Sequence, residues 1–251
     1  LVKLTLSIPS GSIKLATGSS IFTDATGSTP LGTPVFAGSL TVYGTLANLN
    51  AALNGLVYRP AANENAVTQN DASRTLTITV DDMGHGLAGV ASGPRQTDTK
   101  TILIGITPVN DQPGIVGPSA ASAYQEQAAA VTIGAGVSVS DLIDDTQMSG
   151  ATVVISNNYV AGDVLAATVT GTNITASFNA GTRTLTLSGV DSIANYNTVL
   201  NSVTFASSSD APTAGGATTR TITWQATDNN AHSASNGELA SSSVTSTINI
   251  T

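Results

Sequence analysis

The chain has 251 residues, enough for two ordinary domains, and its composition is unusual because 41% of the residues are hydrophobic and only 10% are charged. Sixteen acidic residues against eight basic ones give a net charge of −8, and the basic residues form no stripe, which excludes a nucleic-acid-binding surface. No cysteine is present for disulfides or thiolate metal sites, and no apolar run reaches the length of a membrane span, so we expect a soluble protein without membrane insertion.

The first half of the chain alternates short apolar segments with turn residues, which predicts β-strands. The predicted strands lie at residues 4–8, 40–43, 76–80 and 102–106. Between the second and third of them, four leucines recur at helical spacing: Leu46, Leu49, Leu53 and Leu56. We expect a short helix there that closes one end of a sandwich and directs these leucines into the core.

The second half of the chain shows the same order of elements. Its predicted strands lie at residues 151–156, 174–178, 184–189 and 222–224. Helical spacing is again found at Ile193, Tyr196, Leu200 and Val203. Trp224 falls at a core-facing position of the last strand, so we expect it to be buried rather than to form a sugar-binding platform.

Direct similarity between the two halves shows that the chain contains an internal repeat. Three pairs of segments match in order: 46–58 with 193–205, 74–82 with 220–228, and 102–107 with 247–251. Short strands, tight turns and the lack of long helical segments favour an all-β fold of two tandem β-sandwiches with Greek-key connections. We therefore predict two homologous domains, at residues 1–112 and 113–251.

The two copies begin at different points of the repeat. Residues 124–149 belong to the second copy, and no counterpart of them precedes Leu1. We therefore expect the first domain to lack its N-terminal strand. Such a domain should show an open sheet edge or borrow a strand from a neighbouring molecule.

Oxygen-bearing side chains gather in the predicted loops around TPVNDQPGI at residues 107–115. They are Asn110, Asp111, Asp141, Asp144 and Asp145, with no His or Cys among them. Calcium takes six to eight oxygen ligands, whereas zinc prefers nitrogen and sulfur, so this set favours calcium. The alternative is turn formation alone, because Asn and Asp favour Asx-turns and Pro ends a strand.

Several of these segments resemble a known family. TVDDMG at 79–84, followed by TKTILIGITPVNDQP at 99–113, is similar to the closing strands of a cadherin-type repeat. YQEQAAAVTIGAGVSVSDLIDD at 124–145 resembles the opening of the next repeat. LANLNAALNGLVY at 46–58 resembles the cadherin-like modules of large bacterial surface proteins, the RTX or biofilm-type adhesins exported by type I secretion.

The resemblance implies tandem cadherin- or immunoglobulin-like sandwiches at the cell surface, with calcium clamping each linker between domains. The matched linker ligands are Asn110, Asp111, Asp141, Asp144 (or Asp145 in its place) and Asp228. Glu126 matches a ligand of the following linker, Asp82 matches a ligand of the preceding one, and Glu64 is the candidate for the acidic motif of the first domain. The implied function is that of a secreted or cell-surface adhesion or extension module. Its partner is then the same protein on another cell, or a glycan or protein receptor.

Other functions compete with this one. His85 and His232 stand in turns without a nucleophile, and the acidic pairs at 81–82 and 144–145 are chain neighbours rather than groups facing across a cleft, so we expect no enzyme. A carbohydrate- or surface-binding sandwich stays open, because Thr-x-Thr strands offer rows of hydroxyls. A passive stalk without bound metal also stays open.

Overall fold

The computed structural model describes residues 1–17, 20–62, 74–84, 93–106, 109–141, 145–230 and 237–251. The chain divides into two compact units, Leu1–Thr107 and Pro108–Thr251. Strands dominate both units, which confirms the predicted all-β class. In the described part of the chain, no helix has the length and hydropathy that a membrane span needs.

Within its described residues, the first unit contains six strands and one α-helix. They are β1 (Val2–Ser7), β2 (Ser12–Lys14), β3 (Ser39–Gly44), α1 (Leu46–Leu53), β4 (Val57–Arg59), β5 (Thr75–Asp81) and β6 (Thr97–Leu103). An antiparallel sheet has the order β3-β1-β5-β6, and β2 pairs with β4. In β1, Leu4 and Leu6 are buried while Thr5 lies on the opposite face, as the two-residue period of a strand requires.

A row of threonines crosses the outer face of this sheet. Thr41, Thr5, Thr79 and Thr99 lie opposite one another on the four successive strands. The hydroxyls of Thr5 and Thr41 lie 3.5 Å apart, and those of Thr79 and Thr99 lie 3.0 Å apart. The row therefore covers the sheet with hydroxyl groups that bond to each other across the strands.

The part of the second unit that the structure describes contains eleven strands, one α-helix and a short 3-10 helix at Ala214–Gly216. The strands and the α-helix are β7 (Gly114–Val116), β8 (Ser122–Tyr124), β9 (Val131–Thr132), β10 (Ser138–Ser140), β11 (Gln147–Asn157), β12 (Asp163–Ala166), β13 (Thr175–Asn179), β14 (Thr184–Ser192), α2 (Ile193–Asn201), β15 (Thr204–Ser207), β16 (Thr219–Asp228) and β17 (Val244–Ile250). One sheet has the order β13-β14-β11-β16-β17-β8 and another the order β12-β15-β9, while β10 pairs with β7. All pairs are antiparallel except β17 with β8.

Trp224 lies in the centre of the second unit, as predicted. It is fully buried, and its indole N–H donates to Ser246 Oγ at 2.8 Å. The hydrogen bond lets a polar ring nitrogen sit inside an apolar core without a desolvation penalty. The chain contains one tryptophan, so its fluorescence reports on this unit alone.

Both predicted helices are confirmed, and each begins at a hydroxyl cap. Thr45 Oγ1 accepts from Asn48 N, and Ser192 Oγ accepts from Asn195 N, each at 3.2 Å. The prediction for Leu46 is wrong, because this side chain is 61% exposed. Leu49 and Ala52 are the buried residues of the eight-residue helix α1 and the partly buried Leu53 also packs against the core, whereas the first residue, Leu46, extends beyond it.

The strand predicted at 102–106 is placed too late. β6 spans Thr97–Leu103, because the polar residues before Ile102 pair with the whole length of β5. Every residue of β6 is exposed, so an apolar pattern could not reveal it. β6 is the last strand of its sheet among the described residues of the first unit.

The division between the units falls after Thr107, whereas the sequence places it after Gln112. The side chains of Asn110 and Gln112 donate to groups of the second unit. Asn110 Nδ2 donates to Gly237 O at 2.7 Å, and Gln112 Nε2 donates to Ala240 O at 2.5 Å. These contacts attach residues 110–112 to the second unit, although in the sequence they follow the last strand of the first unit.

Asp191, at the end of β14, makes the second unit sensitive to acid. Its carboxylate accepts from Asn173 N, Ser192 N and Asn195 Nδ2 at 2.7, 2.7 and 2.8 Å, and the Asn173 amide is the main cause that holds the pKa of Asp191 below its usual value. A lowered folded-state pKa contributes stability that is present above the unfolded pKa, about 3.9, and is lost as the pH falls through the folded pKa. We expect Asp191→Asn to be less stable than wild type at pH 7, and the difference to shrink as the pH falls from about 4 to 2. Urea denaturation followed by Trp224 fluorescence measures the free energy of unfolding of both proteins at each pH. A difference between them that does not change with pH would contradict the prediction.

Candidate metal centre

Three buried aspartates of the second unit lie close together. One carboxylate oxygen from each of Asp141, Asp145 and Asp228 lies within 4.8 Å of the other two. The three residues are 8%, 3% and 0% exposed. Ionised carboxylates at such distances repel one another, and burial removes the water that would otherwise screen them. A cation that joins the group would therefore relieve this repulsion.

Two strand ends and one loop place these carboxylates. Asp228 is the last residue of β16, where every second residue faces the core, so strand alternation turns its side chain inward. Asp141 directly follows β10, and Asp145 lies two positions before the first residue of β11, Gln147. Because Met148 of β11 pairs with Asp228, the start of β11 lies beside the end of β16.

Asn110 contributes an amide to the same group. Its Nδ2 donates to Asp228 Oδ2 at 2.9 Å and to Gly237 O at 2.7 Å, and the residue is 3% exposed. Its Oδ1 is buried and has no hydrogen-bond partner among the described residues. A buried acceptor without a donor costs free energy, and it is also a ready oxygen ligand for a cation.

The surroundings of Asp228 make its negative charge less favourable than that of an aspartate in water. Burial is the main cause that raises the pKa of Asp228, and the charge of Asp145 acts in the same direction. Hydrogen bonds from Leu239 N, at 2.9 Å to Oδ1, and from Asn110 oppose the increase. The balance indicates that a bare negative charge at this position is unfavourable.

The arrangement can hold a hard cation. Its donors are carboxylate and amide oxygens, and no histidine or cysteine belongs to the three-residue group. Oxygen-only donor sets of this kind suit Ca²⁺ or Mg²⁺ and disfavour Zn²⁺. A buried acidic group of this kind can bind a metal ion.

The sequence predictions fall into distinct groups in space. The structure brings together Asn110, Asp141, Asp145 and Asp228. Asp111 is half-buried beside Asn110 in the chain and does not belong to the three-carboxylate group. Of the two candidates in the acidic loop, Asp145 belongs to the group.

The other predicted ligands lie elsewhere or cannot be placed. Glu126 is exposed in the segment after β8, and its backbone N–H donates to Thr251 O at 2.9 Å. Asp82 lies in the first unit, where its Oδ1 accepts from Gly84 N and Gln96 N, each at 2.8 Å. The remaining predicted residues, Glu64, Asp144, His85 and His232, lie outside the described residues.

Two residues of the site were not predicted. Asn230 has a buried Oδ1 without a hydrogen-bond partner among the described residues, and its backbone N–H bonds to Asp228. Gly237 offers its carbonyl to Asn110. The run Asp228-Asn229-Asn230 was a usable signal for the first, whereas a backbone carbonyl leaves no signal in a sequence.

Comparison with known proteins does not assign the chain to a family. No family model matches the chain, and no curated protein matches it. Among solved structures, the ectodomain of human desmocollin-1 matches with 15% sequence identity and a TM-score of 0.23. The match covers 73% of this chain and 28% of the desmocollin chain, so this chain spans less than a third of the length of that protein. Neither the fold nor the site is inferred from that likeness.

Proposed function

We propose that the second unit binds a calcium ion through Asp141, Asp145, Asp228 and the amide oxygen of Asn110. The observation that carries the proposal is the burial of three carboxylates within 4.8 Å of one another. Beside them lies a buried amide, Asn110, whose oxygen lacks a hydrogen-bond donor among the described residues. A divalent cation removes both costs at once, because it neutralises the carboxylates and accepts the amide oxygen as a ligand.

Calcium fits the donors better than magnesium does. The four donor residues come from loops and one strand end rather than from a symmetric cage. Calcium accepts such irregular sets of six to eight oxygens, whereas magnesium requires octahedral geometry and keeps several of its waters. The deep burial of the carboxylates leaves few directions for retained waters, which favours the ion that gives up its hydration more readily.

Binding would make the second unit dependent on calcium. An ion that binds only the folded state stabilises it in proportion to the logarithm of its concentration over Kd. The ion would also hold the start of this unit in place, because Asn110 lies only two residues after Pro108. Residues 109–112 would then be ordered with calcium and freer without it.

We infer from this site, together with the duplication and the absence of cysteine, that the chain is an extracellular adhesion or extension module of a larger surface protein. A protein without disulfides needs another source of rigidity outside the cell, and bound calcium supplies one. Repetition of one sandwich along a chain suits a stalk or an adhesive that extends from a surface.

Counting ions on matched variants tests the site. Wild-type protein dialysed against calcium should retain at least one ion per chain, measured by mass spectrometry of the metal. Asp228→Asn should lose it. Asp82→Asn, the aligned change in the first unit, should keep it, because the amide side chain still offers an oxygen to the N–H groups of Gly84 and Gln96. Absence of the ion from wild type, or equal loss in both variants, would refute the proposal.

A further inference from the structure

β13 is the end strand of the large sheet in the second unit. Its residues, Thr175–Asn179, lie inside the stretch 145–230, every residue of which the structure describes. The outer side chains of β13 are exposed, and its inner ones, Ala176 and Phe178, pack against the core. β12 passes near β13 but pairs with β15 in the other sheet. One long edge of β13 therefore has no paired strand among the described residues.

The hydrogen-bond pattern of the sheet shows which backbone groups lie along this edge. Ile155 N of β11 donates to Arg183 O, just before β14 begins, at 3.0 Å. Bonds of an antiparallel strand alternate between its two sides, so every second residue of β14, beginning with Thr184, bonds to β13. The residues opposite them are Asn179, Ser177 and Thr175. The N–H and C=O groups of Ala176 and Phe178 therefore point away from β14.

Neither of these two N–H groups donates a hydrogen bond among the described residues. The N–H of Ile174, which faces the same way, is satisfied locally by Thr172 Oγ1 at 3.2 Å. Unpaired backbone along an edge is a template for another strand, and proteins usually protect such edges with charged residues, proline or a bulge. β13 has the sequence TASFN, and its pairing with β14 shows no register shift. The strand therefore carries none of these three protections.

We propose that two copies of the chain associate through β13, antiparallel and about a two-fold axis at Ser177. The N–H of Ala176 donates to Phe178 O of the second copy, and the N–H of Phe178 donates to Ala176 O of that copy. Symmetry repeats both bonds, so four hydrogen bonds join the edges and the two large sheets become one. The pairing uses no residue of the carboxylate cluster, so it stands whether or not that cluster binds calcium.

The outer side chains of β13 are complementary to themselves in this register. Ser177 lies directly opposite Ser177 of the second copy, and Thr175 lies opposite Asn179. All three residues are exposed, neutral and able to form hydrogen bonds across the strands. An extended segment of another sequence would need to match the same pattern, whereas a second copy matches it by symmetry.

Charge also favours a second copy at this edge. The chain carries a net charge of −8, so two copies approach with least repulsion where the contacting surfaces are neutral. The antiparallel arrangement directs the turn that carries Arg183 toward the end of β13 in the other copy that begins at Asn173. Asp191 holds that end through its bond from Asn173 N at 2.7 Å. The charged groups at the two ends of the edge are therefore of opposite sign.

Charge-swapped variants of the full 251-residue chain test the two-fold axis. Sedimentation equilibrium of the wild type should show a dimer that forms as the concentration rises. Ser177→Lys and Ser177→Asp should each raise the dimer Kd about tenfold, because like charges then lie directly opposite each other. An equal mixture of the two variants should dimerise at least as tightly as wild type, because the facing charges are then of opposite sign.

Ser177→Thr is the matched control, since it keeps a neutral hydroxyl and should dimerise like wild type. Equal urea denaturation of all the variants, followed by Trp224 fluorescence, shows that each one folds. A wild-type chain that stays monomeric at every concentration would overturn the proposal. A dimer that tolerates both charged variants, or a mixture of them that does not recover, would overturn it as well.

Hydrogen exchange resolved by residue locates the contact. The amides of Ala176 and Phe178 should gain protection as the dimer forms. The amide of Ser177, which already bonds to β14, should change little. Protection that arises elsewhere in the chain, with these two amides unchanged, would place the contact on another surface and overturn the proposal.

Discussion

Arg220→Met is expected to lower the free energy of unfolding of the second unit by about 3–5 kcal/mol, the usual cost of removing one partner from a buried ion pair. Arg220 and Asp163 are both fully buried, and Arg220 Nε donates to Asp163 Oδ2 at 2.6 Å. Arg220 also donates through Nη1 to Ala217 O and through Nη2 to Pro212 O, each at 2.7 Å. The substitution removes the Arg220 donor from two carbonyls and from a buried carboxylate that keeps the hydrogen bond from Val160 N but loses its countercharge.

Urea denaturation followed by Trp224 fluorescence measures the loss, because Trp224 lies in the same core. The double variant Asp163→Leu with Arg220→Met is the matched control. It removes the stranded charge and should recover much of the stability, since apolar residues of similar volume often replace buried ion pairs at little cost. A single Arg220→Met variant as stable as wild type would show that this pair contributes no net stability.

Removing calcium is expected to lower the melting temperature of the second unit by roughly 5–10 °C. Calcium at a hundred to a thousand times Kd stabilises a folded state by about 2.7–4.1 kcal/mol, and in a unit of this size each kcal/mol moves Tm by a few degrees. Trp224 fluorescence recorded with calcium and with chelator gives the difference. The same shift with magnesium in place of calcium would contradict the choice of ion.

Asp141→Asn is the variant that isolates the carboxylate cluster. It should abolish the calcium-dependent shift, because it removes one of three charged ligands. In chelator it should melt at the wild-type temperature or above, because two carboxylates within 4.8 Å repel less than three. A variant that keeps the full calcium shift would show that the ion binds elsewhere.

The fold was largely predictable because its long strands carry their own pattern. Residues 184–189 alternate apolar and polar side chains and residues 151–156 are mostly apolar, and the structure places both segments within longer strands, β14 and β11. Short strands such as β9 and β12 lack that signal, because two to four residues cannot establish a period. The bounds of β6 were mispredicted for a different reason: an exposed edge strand need not contain apolar residues.

The candidate site was predictable in its residue types but not in its burial. Asn110 and Asp141 were identified from their predicted loops and Asp228 from the resemblance to a cadherin-type repeat, and the structure places the three residues close together. That these side chains lie almost without solvent contact depends on the packing of loops from distant parts of the chain. The Asp163–Arg220 pair was missed, because its partners lie 57 positions apart and no periodicity connects them.

The boundary between the two units also depends on contacts that the sequence does not show. The sequence assigns residues 109–112 to the first domain, because they directly follow its last strand. In space, the bonds of Asn110 to Asp228 and of Gln112 to Ala240 tie them to the second unit. Continuity of the chain is a weaker guide than the polar contacts that a loop makes.

The threonine row on the first unit has a consequence for how this protein responds to dissolved ions. Thr5, Thr41, Thr79 and Thr99 keep their sheet face wetted through neutral hydroxyls, and only 10% of the chain is charged. Salt weakens interactions between exposed charges by screening them. This sheet face, whose hydroxyls carry no charge, should therefore respond less to ionic strength than a charged sheet face would.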